Sequence, residues 1–491
     1  MSRERALAAV LFAAAALLRL HGAWSAPPLT GFDGPYHAAY IGILHGERRW
    51  PLPDEGWATF HPPLYYALSA LLWGLLPQDL PARGVLFALR CVNVAAGLLV
   101  GLAARSAARK LFPERPRVAL AATALALFLP MLVPLSFLIG NQILAASLAA
   151  WGLVLLLRAL EAPGSARRTL AAGLVLGLAV LGKLDAAPVA LAAALALLLT
   201  GLRRHGPRAR ALAPAALLGL GALLASGSYF ARNLALAGRP LVLEVPVSAD
   251  RMRAQGYGPA RPLARYLSFD PAILWDPADR SPRAQRAVWP ATFAGVWFDL
   301  HGTVVQVASP RARTFARLLF ALGAAFTFLA ALGALALARG RVPCAVPDGP
   351  AALALVAGCG LAAYVFFTAR VATFSTLKGT LLAPSALPFV LCSALGLDLL
   401  ARAGRRAAAL AAALGAALVL ATSAILWVGW IAPTGVSAAV FYVRVHADPA
   451  TWRVYDYFVR GLPLRDPPPR EQPGAPPARP MPLGPRRAAP G

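Results

Sequence analysis

About eleven apolar runs recur down the chain, at about 6–24, 85–104, 118–138, 142–158, 169–183, 185–201, 211–230, 314–338, 350–369, 380–400 and 407–430. Most approach the roughly 20 residues that carry a helix across a bilayer core. With 58% of 491 residues hydrophobic and 14% charged, one soluble core could not bury them all. The chain therefore reads as an all-α polytopic membrane protein. Its charge pattern orients it. Arg105, Arg109, Lys110, Arg115 and Arg117, then Arg158, Arg167 and Arg168, Arg203, Arg204, Arg208 and Arg210, Arg339 and Arg341, and Arg402, Arg405 and Arg406 fall in every second connection. By the positive-inside rule those connections face inward, with the amino terminus, and the Arg-poor ones face outward. The net charge of +26 is thus a topology signal, and nucleic acid is not an expected partner.

The first run is read as a retained helix, because a long multi-span chain follows it. A transmembrane domain over 1–430 then holds a first outer loop at 25–84 and a long outer loop at 232–313. The long loop carries Tyr257, Tyr266, Trp275, Trp289 and Trp297 and is expected to act as a lid or acceptor platform. A short outer segment at 431–465 and a disordered Pro/Arg-rich tail at 466–491 complete the chain. Cys91, Cys344, Cys359 and Cys392 are scattered, without metal or disulfide spacing. The hydropathy shows no internal repeat of the kind on which many transporters are built.

Between Gly31 and Tyr66 the composition changes. Asp33, His37, His45, Asp54, Glu55 and His61 gather there, behind one spanning helix and ahead of the 13-residue run LYYALSALLWGLL. That run is too short to span and is expected to lie in the outer interface, with Pro62 and Pro63 at its start and Tyr65, Tyr66 and Trp73 at headgroup level. Carboxylates and imidazoles are so delivered to the membrane surface, where a lipid-linked substrate presents its head group.

FDGPYHAAYI followed about thirty positions on by HPPLYY resembles the multi-span glycosyltransferases that use polyprenyl-phosphate sugars, the protein O-mannosyltransferase and lipid A aminoarabinose transferase superfamily with the GT-C fold. SFLIGNQILAASLAAWGLVLLLRAL, LVLGLAVLGKLDAAPV, SYFARNLALAGRP and STLKGTLLAPSALPFVLCSALGL resemble later landmarks of that superfamily in the same order. The resemblance implies transfer of a sugar, with inversion, from a polyprenyl-phosphate donor to a hydroxyl of a lipid, glycan or protein acceptor. It implies Asp33 as the catalytic base, with Asp54 and Glu55 as substitutes. His37, His61, Tyr65, Arg90, Arg232, Arg370 and Lys378 are its expected substrate contacts, the last three as candidates for the phosphate. A transporter or flippase for a lipid-linked or anionic solute is the alternative reading.

Two departures bear on cofactors. The superfamily often has Asp-Glu where this chain has Asp33-Gly34, and many members have an acidic residue where it has Asn141-Gln142. In members that bind a divalent metal both places supply ligands, and amides serve hard cations poorly. No metal or other cofactor is expected, and the expected location is a bacterial inner membrane with the site on the periplasmic side.

Overall fold

A computed structural model describes residues 3–162, 164–206, 209–242, 260–279, 281–302, 304–305, 309–428 and 449–461. The helices that organise it are α1 (Arg3–Ser25), α2 (Gly34–Gly42), α3 (Leu64–Leu75), α4 (Ala82–Leu111), α5 (Pro116–Phe128), α6 (Gln142–Glu161), α7 (Ala166–Gly182), α8 (Ala187–His205), α9 (Ala209–Ala237), α10 (Val288–Trp297), α11 (Pro310–Ala338), α12 (Gly349–Arg370), α13 (Ala386–Arg402), α14 (Arg405–Val428) and α15 (Pro449–Arg460). Among the described residues nine helical segments are long and apolar enough to cross a membrane, while α3 and α5 are shorter apolar helices. The protein is an integral membrane protein, and its helical class is the expected one.

One expected span is corrected. The run at 118–138 is not a single helix: α5 stops at Phe128, and Leu129 turns to extended backbone with φ −61° and ψ 119°. Pro130 disfavours helical geometry in the residue before it. The chain continues through a short turn of helix at Leu132–Leu135. Met131 is held there by its N–H, which donates to the Val296 carbonyl at 3.0 Å.

Ion pairs tie together the helix ends that carry the Arg clusters. Arg105 and Arg109 hold Glu4 at 2.6 and 3.0 Å, Lys110 pairs with Glu161, Arg115 meets the buried Asp398 at 2.9 Å, and Arg203 meets Asp348 at 3.0 Å. All these ends lie at one end of the bundle, as the alternation of charge requires. Where helices cross most closely they do so on glycine. A Cβ at Gly396 would lie 2.0 Å from the Leu329 carbonyl, and one at Gly333 would lie 2.1 Å from that of Cys392, so α11 and α13 meet backbone to backbone.

The opposite end carries a second, smaller core. Tyr40, Tyr65, Tyr66, Trp73, Leu86, Leu89 and Ile139 pack there with Val454, Tyr455 and Phe458 of α15. Helix α15 docks on α2, where Val454 sits so close that a Cβ at Gly42 would be 2.7 Å from it. Arg453 pairs with Glu47, and Trp73 packs against Tyr457 and Phe458. Helix α3 turns Tyr65, Tyr66, Ser69 and Trp73 into this core and leaves Leu68, Leu71 and Leu75 exposed, the arrangement of a helix lying along an apolar medium.

In the long loop at 232–313 Trp297 is buried, while Trp275 is exposed. The Trp289 indole donates to the Tyr266 carbonyl at 2.8 Å. Arg261 donates to the carbonyls of Thr368 and Thr373, fastening the loop to α12. Tyr257, much of 431–465 and the tail at 466–491 lie outside the described residues.

Candidate functional site

The turn from Leu29 to Asp33 is forced into left-handed backbone three times, at Leu29 (φ 58°), Gly31 (φ 126°) and Asp33 (φ 56°). Only glycine adopts that region freely, although Asp and Asn tolerate it better than other residues. Strain of this kind is found where a fold over-determines a functional residue. Asp33 opens α2 with its backbone: its carbonyl accepts from the N–H groups of Tyr36 and His37 at 3.0 and 2.9 Å. Its carboxylate makes no capping bond.

One turn into α2, His37 Nδ1 hydrogen-bonds the Tyr66 hydroxyl at 2.8 Å. The His61 ring lies 5.8 Å from the His37 ring, and Tyr66 stacks on Tyr40 at 4.0 Å. Burial holds the His37 imidazole down to a pKa of about 4, against the raising effect of Asp33, while Lys183 and Lys378 lower it further. His61 is pushed well down by burial first and by Lys183 next. Both rings are neutral at pH 7.

A stability prediction follows from the sign of these shifts. The unfolded chain takes up protons on His37 and His61 at a higher pH than the folded chain does. The stabilisation is complete above the unperturbed value of 6.5 and is lost as pH falls from there through about 4. Melting temperature of the detergent-purified protein is expected to drop over that window, and His37→Gln to flatten the drop. An unchanged slope in the variant would assign the loss to other groups.

Facing these imidazoles are two ammonium groups from distant segments. Lys378 lies 4.0 Å over the Phe32 ring, a cation–π seat next to Asp33. Lys183 donates to Gln142 Oε1 and stands 3.6 Å from Asp185 Oδ2. Gln142 Nε2 in turn donates to Asp185 Oδ2 at 3.1 Å and to the Thr380 carbonyl at 2.9 Å. That last bond joins the start of α6 to the loop carrying Lys378. Beside Lys378 opens a mainly apolar slot lined by Phe32, Pro130, Met131, Pro134 and Leu138, the wall that the break after α5 creates. His301 borders it, 5.6 Å from the Phe32 ring.

Of the residues expected from the sequence, Asp33, His37, His61 and Lys378 come together. Tyr65 lies beneath them, where its hydroxyl accepts from the Gly140 N–H at 3.2 Å. Three do not join them. Arg90 is buried, and donates to the carbonyls of Ala23 (3.0 Å), Ala26 (2.8 Å) and Pro27 (2.6 Å), clamping the end of α1. Arg232 donates to the Pro51 carbonyl and, with Tyr229 bonded to the Phe60 carbonyl at 2.8 Å, anchors the first loop to α9. Arg370 is exposed at the end of α12, with its guanidinium 5.8 Å from the ring of Phe366 on the same helix. Of the substitute bases, Glu55 is bound by Arg49 and by the Leu52 N–H, and Asp54 is exposed.

Sequence reading gave no functional weight to Tyr66, His301 or the Gln142–Lys183 bond. Tyr66 stood in the HPPLYY motif as an interface aromatic. His301 carries no periodic or spacing signal.

Residues 61–229 match the family model described as dolichyl-phosphate-mannose-protein mannosyltransferase. No curated protein matches the chain. Among solved structures it is similar to the oligosaccharyltransferase of Archaeoglobus fulgidus in complex with zinc and sulfate, at 16% identity over 96% of this chain and 59% of that one, with a TM-score of 0.55. It is similar also to the oligosaccharyltransferase of the same organism in complex with an inhibitory peptide and a dolichol-phosphate, at 19% identity over 96% and 62%, with a TM-score of 0.51. A fainter likeness, at 17% identity, 81% of each chain and a TM-score of 0.40, is to ArnT from Cupriavidus metallidurans bound to undecaprenyl phosphate. The chain spans about three fifths of the oligosaccharyltransferases' length. At these identities what is shared is architecture, and that architecture is the GT-C fold.

Proposed function

We propose that this GT-C chain is a membrane glycosyltransferase that moves a hexosyl or pentosyl group from a polyprenyl-phosphate donor to an acceptor hydroxyl, with inversion, on the outer face of a bacterial inner membrane. The observation that carries the reading is the convergence of an uncapped carboxylate, Asp33, with two ammonium groups, Lys183 and Lys378, at the Arg-poor end of the bundle. A base and an anion site at one membrane face are what such a transfer needs. The family match over 61–229 and the dolichol-phosphate held by one structural neighbour support a lipid-phosphate donor.

In this reading the acceptor hydroxyl oxygen attacks the anomeric carbon, and Asp33 receives its proton. The bond from that carbon to the phosphate oxygen breaks, and its electron pair stays on the phosphate. The leaving group is already a stable anion, so it needs cations rather than an acid. In this reading Lys378 and Lys183 supply those cations, and the apolar slot lined by Phe32, Pro130, Met131 and Leu138 borders the start of the prenyl chain. Neutral His37, fixed through Tyr66, orients the acceptor side. Clustering of the ionisable groups at one end, rather than at mid-span, favours this reading over transport.

The test is direct. Purified protein in nanodiscs, given radiolabelled hexosyl and pentosyl polyprenyl phosphates with a membrane extract as acceptor, is expected to release polyprenyl phosphate and to label an acceptor with inverted linkage. Failure to discharge any of these donors would overturn the proposal.

A further inference from the structure

One neighbouring structure contains zinc, and the resemblance drawn from the sequence places metal ligands, in members that bind one, just after Asp33 and at the start of α6. The donor set in this chain does not fit such an ion. Among the described residues no group of three or more His, Cys, Asp or Glu is placed to hold one. The position after Asp33 is closed to any side chain, since a Cβ on Gly34 would lie 2.4 Å from the Leu29 carbonyl oxygen.

At the start of α6 the fit is to something else. Both hydrogens of Gln142 Nε2 are committed, one to Asp185 Oδ2 and one to the Thr380 carbonyl, and Oε1 accepts from Lys183 Nζ. This network orients the amide, since each of its partners allows only one assignment of O and N. A carboxylate at 142 would face a carboxylate and a carbonyl oxygen with no hydrogen to offer, so the arrangement requires an amide. What the amide and Asp185 enclose is an ammonium group, mostly shielded, with 16% of the Lys183 side chain exposed. Through Gln142 the seat is tied to Thr380, two residues from Lys378, whose ammonium lies over the ring of Phe32 next to Asp33.

We infer that the Lys183 ammonium, seated on Gln142 and Asp185, is a built-in cation that serves the leaving phosphate in place of a divalent metal. The inference rests on the glycosyltransferase reading above. Lys183 keeps its proton throughout: the acceptor's proton goes to Asp33, the electron pair of the broken bond goes to the phosphate oxygen, and the ammonium offers that oxygen a hydrogen bond and a charge. Gln142 is a positioning residue, acting only through Lys183. A point charge with rotatable donors suits this seat, where the planar fork of Arg would not.

The experiment uses the full chain in nanodiscs and undecaprenyl phosphate, a polyprenyl phosphate of the class the step releases, as probe. Wild type is expected to bind it equally in EDTA and in manganese or zinc. Lys183→Met should weaken binding about tenfold to a hundredfold, the worth of a hydrogen bond to a charged group. Lys183→Arg, with the charge but the wrong shape, should fall between them. Melting temperatures separate lost binding from lost fold, and Gln142→Met, which keeps the lysine but unseats it, should weaken binding in the same direction. Loss of wild-type binding in EDTA with recovery in metal would overturn the inference alone, as would wild-type affinity in Lys183→Met. No wild-type binding with or without metal would overturn the donor reading itself, and this inference with it.

Discussion

Asp33→Asn is expected to leave the protein folded and able to bind donor while lowering turnover by about 10²–10⁴-fold, the contribution of a positioned general base. The variant is unusually clean here. Asn is the other non-glycine residue at ease in left-handed backbone, so φ 56° at this position is tolerated equally well. The carboxylate makes no capping bond, so no cap is weakened. What Asn cannot do is accept the hydroxyl proton. Transfer rates, with donor affinity and melting temperature measured beside them, decide the matter. Near-normal turnover would remove Asp33 as the base. Glu55→Gln is expected instead to act on loop stability, through its bonds to Arg49 and Leu52.

Arg90→Leu should produce the largest loss of stability of any single change at the Asp33 end of the bundle. It strips hydrogen bonds from three carbonyls at the end of α1, each orphaned acceptor costing roughly 1–3 kcal/mol. Relief from burying a cation offsets part of that, leaving a net loss of at least about 2 kcal/mol, read as a lower melting temperature and a poorer yield of monodisperse protein. The fraction that folds should bind undecaprenyl phosphate as wild type does. A variant that melts normally but no longer binds would return Arg90 to the substrate cavity, where the sequence alone had placed it.

That misplacement shows what a linear reading contains. An arginine in an apolar run is costly if it faces lipid, and from the sequence a cavity was the available escape. The alternative was a set of carbonyls 63 to 67 residues earlier, which no local pattern announces. The spans were legible because hydropathy and Arg placement are local. The break at Leu129 was less so: Pro130 and Pro134 were visible, but the apolar residues around them kept the hydropathy high through 138. Asp33, His37 and His61 were legible because they share one loop. The Gln142–Lys183–Asp185 network was not, because its bonds cross 41 to 43 positions and its fourth member, Thr380, lies 238 from Gln142. In the linear sequence Lys183 and Asp185 stand only two positions apart. Folded, the amide between them makes the pair a holder for charge.

Helix α15 gives the order of synthesis a functional meaning. The loop bearing Asp33 leaves the ribosome well before Val454, Tyr455 and Phe458, which wall its core and are translated some 400 residues after it. Until they arrive, Tyr40, Tyr66 and Trp73 lack their covering. A nascent or truncated chain already inserted in the membrane would thus carry Asp33 on a support that α15 has not yet completed.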